Sequence, residues 1–485
     1  MTSVERGNDE SATTTSWSIF AFLWAAAHLM HQAKKFAIFD LDLDAAGGVR
    51  LLMNLAAIAV LLRPSSIARF AFMLVVQLVL AGQQMPYVTN HWVFVTLTNL
   101  TIGGCLLYGL RDRSTGGTDQ RALWGRVGPL LRLNLLVLYF YVTLTKINWD
   151  FLNPEHSCAV EMFDWLQSKF GVDVLGLPGA PQFAIWSTLA LEGGIPLLLI
   201  FRRTRPLGIV IGWAFHSMLA VNAFFAFQAM VFAMYVAFTP SDLGARLERV
   251  LVRYPAIGAP ARAIGAIARR PFVLPASAIA LIALAWGPAA IDADLAVVDR
   301  AFYYGGNALL LGYGAVAAAV YAASLWVDRS ATDERLRFMP RPAFLLVFPL
   351  IVFLNGSSQF LGLKTEGSFA MFANLRTEGE LWNHCLLPQS IRIFGLQDDL
   401  VSVRSSSHPE LQAFADDETR VVWLEFRKTL LLERFADAQI TYEYKGQEHV
   451  VGRIGDDELL SEPFHPLVAK LIWFRPVPKT MHCQH

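Results

Sequence analysis

The sequence predicts an all-α polytopic membrane protein of about eleven transmembrane helices, followed by a C-terminal extracytoplasmic α+β soluble domain. Composition and texture both point there. Of 485 residues, 54% are hydrophobic and 16% charged, with a mean hydropathy of +0.41, against roughly 25% charged in an ordinary soluble domain. Apolar residues run in blocks of membrane length up to about residue 356, after which charges become frequent and apolar runs shorten. Forty basic residues balance forty acidic ones, so no global field exists to hold nucleic acid.

Taken in order, residues 1–15 are polar with no apolar run before a cleavage site, and read as a disordered cytoplasmic tail. Residues 16–356 form the membrane domain. Its spans fall at about 17–36, 49–63, 67–84, 91–110, 128–147, 182–201, 206–222, 224–239, 272–290, 304–326 and 342–356. The 206–239 pair is joined the most tightly. One set of loops carries Arg63 and Arg69, Arg111 to Arg126, Arg202 to Arg205, Arg246 to Arg270, and Arg329 to Arg341. The opposite loops hold little beyond Lys169, Arg300, Lys34 and Lys35. Cytoplasmic loops are the Arg-rich ones, so the N-terminus is expected inside and residues 357–485 outside. The Ala- and Arg-rich usage suggests a bacterial source, hence a bacterial inner membrane.

In the tail, 420–427 (RVVWLEFR) and 438–444 (AQITYEY) read as strands, the latter forming a hairpin with EHVVGRI. An oxidising compartment there leaves one disulfide open among Cys158, Cys385 and Cys483, while Cys105 lies inside a span as a buried thiol.

Ionisable residues inside a bilayer are costly and become functional candidates by default. The fifth span places Arg132, Tyr139, Thr143 and Lys146 on one helical face, a polar stripe facing the bundle. Lys146, just before Asn148 and Trp149, reads either as a functional group or as an interfacial lysine snorkelling beside a belt tryptophan. His91, at the start of the fourth span, lies at the same level and either shares a cavity with Lys146 or bonds to an adjacent loop. Glu192 and His216 lie deep in their spans, where a buried Glu–His pair or a helix-packing contact would accommodate them.

His28 and His31, with Gln32, resemble half a metal site, but no partner set accompanies them, so no metal is expected. The terminal MHCQH, His465 and the His384–Cys385 pair fit no standard zinc spacing. Phosphate loops, G-x-S-x-G and H-E-x-x-H are missing, as are the inverted repeats common in secondary transporters.

Three blocks share a resemblance. LYFYVTLTKINWDFL, NHWVFVTLTNL and LEGGIPLLLIFRRTRPLGIVIGWAFHSMLA resemble, in order and spacing, segments of the vitamin K-dependent γ-carboxylases and their bacterial relatives, the HTTM (horizontally transferred transmembrane) proteins. The resemblance covers roughly residues 15–240. It implies that Lys146 is the catalytic base, that His91 is a nearby functional histidine, and that His216 occupies the family's Phe-His position. Tyr139, Thr143, Trp149, Glu192 and His216 would then contact the substrate. In that family an uncharged lysine deprotonates vitamin K hydroquinone, O2 adds, and the resulting alkoxide removes a γ-proton from glutamate, whose carbanion takes CO2. The implied participants are therefore a lipid quinone (vitamin K hydroquinone or menaquinol), O2, CO2 and a glutamate-containing peptide or protein, with no metal. Such chemistry needs a dry site, because removal of water disfavours the charged form of a lysine and preserves a strong base.

One departure is the short tail, since family carboxylases carry a large lumenal portion that grips a propeptide. The segment GLKTEGSFAMFANLRTEGELWNHC reads as substrate-contacting or membrane-resting. The rival reading is a non-enzymatic HTTM protein, either a transporter or an export/immunity factor of the sporulation-delaying kind.

Overall fold

The computed structural model describes residues 15–34, 45–111, 119–221, 225–268, 270–280, 312–322, 336–479 and Cys483. The expected N-terminal tail, Lys35, Arg113, Arg300, Arg329 and much of the 272–290 and 304–326 spans lie outside the described residues. In chain order the helices are α1 (Ser16–Lys34), α2 (Ala45–Leu62), α3 (Ile67–Gln84), α4 (Asn90–Arg111), α5 (Gln120–Thr145), α6 (Trp149–Leu152), α7 (Cys158–Phe170) and α8 (Ala180–Ile200). Then come α9 (Arg205–Leu219), α10 (Phe225–Tyr235), α11 (Leu243–Arg253), α12 (Pro255–Ala268), α13 (Val273–Ala280), α14 (Gly312–Ala322) and α15 (Val347–Leu361).

Five helical stretches among the described residues are long and apolar enough to cross a membrane: α3, α4, α5, α8 and Ala343–Leu361. A bent pair, Gly258–Ala268 with Val273–Ala280, makes six if counted as one span. The expected count of eleven is not confirmed among the described residues. In α1, Trp17, Phe20, Ala21, Leu23, Trp24 and Ala25 are all buried. The 206–239 region forms two short helices, α9 of 15 residues and α10 of 11.

The chain divides into two compact units. The first comprises residues 1–80, 99–133 and 199–346. Here α1 packs on α2 and α10, and Trp17, Phe20, Phe70 and Trp124 form a ring cluster along it. Gly212 admits the Tyr235 ring so closely that a Cβ would lie 2.0 Å from its hydroxyl. His28 is held by hydrogen bonds on both ring nitrogens. Its Nδ1 donates to the Trp24 carbonyl at 2.7 Å and its Nε2 faces the Asn99 amide at 3.3 Å. The Nδ1 hydrogen and the Nε2 lone pair of His28 are thereby both engaged. Arg132 likewise gives its guanidinium to the carbonyls of Ala237 (2.6 Å) and Arg337.

The second unit comprises residues 81–98, 134–198 and 347–485. Its sheet has the antiparallel order β2-β1-β3-β4, with β1 Leu400–Ser406, β2 Arg420–Val422, β3 Ile440–Tyr444 and β4 Gln447–Val451. The β3–β4 hairpin forms where expected, its turn made by Lys445 and Gly446 at positive φ, the backbone that a tight two-residue hairpin demands. The expected strand at 420–427 is corrected: only Arg420–Val422 is extended, and α17 (Trp423–Leu430) follows after α16 (Pro409–Asp416). Buried Val422, Phe426 and Leu430 recur every four residues, so the apolar pattern satisfies a helix as well as a strand. Val401, Val403, Leu411, Phe426, Tyr442 and Ile454 build the core beside the sheet.

Between α15 and the sheet, residues 362–385 fold inward, with Thr365, Ser368, Phe369, Ala373, Leu375 and Glu378 buried. Glu378 pairs with Arg475 at 2.8 Å, whereas burial pushes the Glu366 carboxyl up to about 7, with Arg475 opposing, and brings the Lys364 amine down to about 8. A raised carboxyl favours the fold below its unfolded value of 4.5, and this contribution is lost as pH rises through about 7. Glu366→Gln is therefore expected to stabilise the protein by about 1 kcal/mol near pH 8, after allowance for solvent screening, and to change little below about pH 4. Thermal unfolding in detergent across that pH range checks it.

Candidate active site

Helix α5 ends at Thr145, where the Lys146 and Ile147 amides turn back to the carbonyls of Thr143 and Leu144. Lys146 is buried rather than snorkelling. Its Nζ lies 3.0 Å from Glu192 Oε2, with the side chains 5% and 9% exposed. The same nitrogen donates to the carbonyls of Met371 (3.0 Å) and Val142 (3.4 Å), and stands 6.0 Å from the centre of the Phe151 ring. Glu192 comes from the middle of α8, and its neighbour Gly193 lets that helix pass close to α5. A Cβ there would meet Thr143 Cγ2 at 3.4 Å.

The Met371 carbonyl is delivered by a contorted backbone. Phe369, Phe372 and Asn374 all have positive φ (69°, 49° and 50°), which costs a non-glycine residue of order 1 kcal/mol each and persists only where surroundings enforce it. The enforcing contacts are on each side. Asn90 Oδ1 accepts the Phe369 amide at 2.8 Å, and the Phe369 ring meets Phe94 edge-on. Asn374 accepts from the Cys158 amide (2.7 Å) and donates to the His156 carbonyl (2.8 Å). Asn148, fully buried, donates to the carbonyls of Thr145 and Ala373 while capping α6 through the Phe151 amide. His384 Nε2 donates to the Leu144 carbonyl at 3.0 Å, and its Nδ1 accepts from the amides of Leu386 and Leu387. This fixes a neutral ring, and burial lowers its pKa further.

A disulfide closes the arrangement from behind. Cys158 pairs with Cys483, leaving Cys385 a half-buried thiol, and Cys158 packs with Phe151, Ala159 and Ile185. The ring beneath Lys146 thus belongs to the cluster that ties down the C-terminal segment.

The structure joins Lys146, Glu192, Thr143 and the 369–371 backbone. Tyr139 is buried one turn before Thr143 on α5. His91 is half-buried at the start of α4, beside the Asn90 that holds Phe369. Trp149 is 67% exposed, outside the buried group. Glu192 has Lys146 as its ion partner. His216 belongs to the first unit, where its buried ring meets Phe215 and Phe227. Sequence reasoning missed Asn90, Met371 and Asn374. An Asn immediately before a span and an Asn in an apolar loop are the only signals that marked them. Among the described residues, no group of three or more His, Cys, Asp or Glu is placed to hold a metal ion.

Residues 110–241 match the HTTM domain. That HTTM domain takes in Lys146, Glu192 and His216, while Asn90, His91 and the 362–385 segment lie outside the match. Neither curated proteins nor solved structures give a match to the chain.

Proposed function

We propose that this HTTM protein is a membrane-embedded base catalyst of the γ-carboxylase kind, acting on a lipid hydroquinone. One observation carries the reading: a lysine amine, buried at the end of a membrane-length helix, ion-paired with a carboxylate and hydrogen-bonded to a strained-loop carbonyl. In dry surroundings a buried ion pair costs several kcal/mol of desolvation. Transfer of one proton from Lys146 Nζ to Glu192 Oε2 across their 3.0 Å contact leaves a neutral amine and a neutral carboxylic acid at the same net charge. Lys146 then accepts a hydroxyl proton, and Glu192 stores the one displaced.

The residues present fit an aromatic diol. The Thr143 hydroxyl is buried with no hydrogen-bond partner among the described residues. Thr143 and Tyr139 would hold the ring, with His91 orienting an oxygen. Vitamin K hydroquinone or menaquinol supplies, with O2, an epoxide and a base strong enough to remove a glutamate γ-proton for CO2 addition. Incubating the protein in lipid with either quinol and air, with and without a glutamyl peptide, tests this. Epoxide above a heat-treated control supports the proposal, whereas its absence with both quinols favours the non-enzymatic transport or export reading.

We also infer an inner-membrane location with the N-terminus cytoplasmic and residues 357–485 outside, supported by the Arg-rich loops and by a disulfide that the cytosol would reduce. A C-terminal fusion is expected to be active with a periplasmic reporter and silent with a cytoplasmic one. The reverse pattern overturns the orientation.

A further inference from the structure

Residues 386–396, LLPQSIRIFGL, contain one formal charge. That charge is turned inward: the Arg392 side chain is 9% exposed, pairs with Asp398 and donates to the carbonyls of Thr377 and Gly379. The apolar side chains point the other way. Ile393 is 73% exposed, Leu386 65% and Phe394 43%, with Ile391 also open. A water-facing loop has the opposite arrangement, and a cluster of large apolar residues at a surface marks a contact.

The position of this stretch says what it contacts. The Ile393 and Phe394 amides both donate to the carbonyl of Leu361, the last residue of α15. Gly362 makes that approach achievable, since a Cβ there would lie 1.9 Å from the Phe394 carbonyl oxygen. At the other end, the Cys385 amide donates to the Ile147 carbonyl, just past α5. Both tethers are thus at the ends of helices long and apolar enough to cross a membrane. The exposed face of α15, through Leu350, Phe353 and Leu354, carries the apolar surface on.

We infer that residues 386–396 form a membrane-seated collar, with Leu386, Ile391, Ile393 and Phe394 in the boundary between headgroups and acyl chains of the bilayer that α15 crosses. No lysine or arginine within it faces outward, so apolar area and not anionic headgroups holds it. The collar starts next to Ile147, one residue from Lys146, which places lipid at the edge of the candidate site. If the proposed quinol chemistry is right, its substrate enters there; the collar itself stands without that chemistry.

Spin labels on the full chain in phosphatidylcholine nanodiscs test the inference, in a Cys385→Ser background. Labels at Ile393→Cys and Phe394→Cys are expected to collide with O2 more than with a water-soluble nickel chelate, as a label at Leu354→Cys on α15 does. Val450→Cys, exposed on β4, is the aqueous reference. Nickel collisions at 393 and 394 equal to those at 450 overturn the collar. So does spin–spin broadening that disappears on dilution with unlabelled protein, which makes the face a contact between copies.

Discussion

Lys146→Arg is expected to abolish quinol epoxidation, by about 10³-fold or more, while the protein stays folded in the membrane. Arginine keeps the positive charge beside Glu192 but does not lose its proton in proteins, so it preserves the ion pair and removes the base. Lys146→Ala is expected to be equally inactive. The assay is epoxide formation with vitamin K hydroquinone or menaquinol, alongside size-exclusion behaviour to establish folding. Full activity in the arginine variant makes Lys146 a structural partner of Glu192 and ends the mechanism proposed above.

Glu192→Ala is expected to destabilise the protein by about 3–5 kcal/mol, because it leaves the Lys146 ammonium buried without its counter-charge. The Met371 and Val142 carbonyls that remain offer dipoles only. Replacing both partners, Lys146→Met with Glu192→Leu, is expected to recover most of that loss, since an apolar pair of similar volume avoids the desolvation cost. Denaturation of the two single variants and the double variant measures the coupling. Strictly additive effects would mean that the two side chains do not interact in the folded protein.

Lys146 and Glu192 were each legible in the sequence as charged residues in apolar surroundings, and their pairing was not. They are 46 positions apart on different helices, and no spacing rule reports which faces meet. His216 looked an equally good partner for Glu192 on the same grounds. The hairpin at Lys445–Gly446 was legible because turn chemistry is local. Residues 423–430 were not, because Val422, Phe426 and Leu430 satisfy the helix period while the flanking residues suggest alternation. Of the eleven spans expected, five stretches among the described residues are long and apolar enough to cross a membrane; α1, whose apolar run is diluted by His28, His31, Gln32 and Lys34, is not one of them. The 369–374 backbone was illegible because Phe369 and Phe372 give no local reason to adopt positive φ, although Asn374 tolerates it. Distant Asn90 and the Cys158 amide impose it.

The central claim is that Lys146 activates a lipid hydroquinone toward O2, and labelled oxygen tests it most directly. Purified wild-type protein in lipid, supplied with menaquinol or vitamin K hydroquinone under O2 enriched in oxygen-18, should yield quinone epoxide carrying the label. Lys146→Arg treated identically should yield none. Label-free epoxide, or labelled epoxide in equal amount from the arginine variant, would contradict the account.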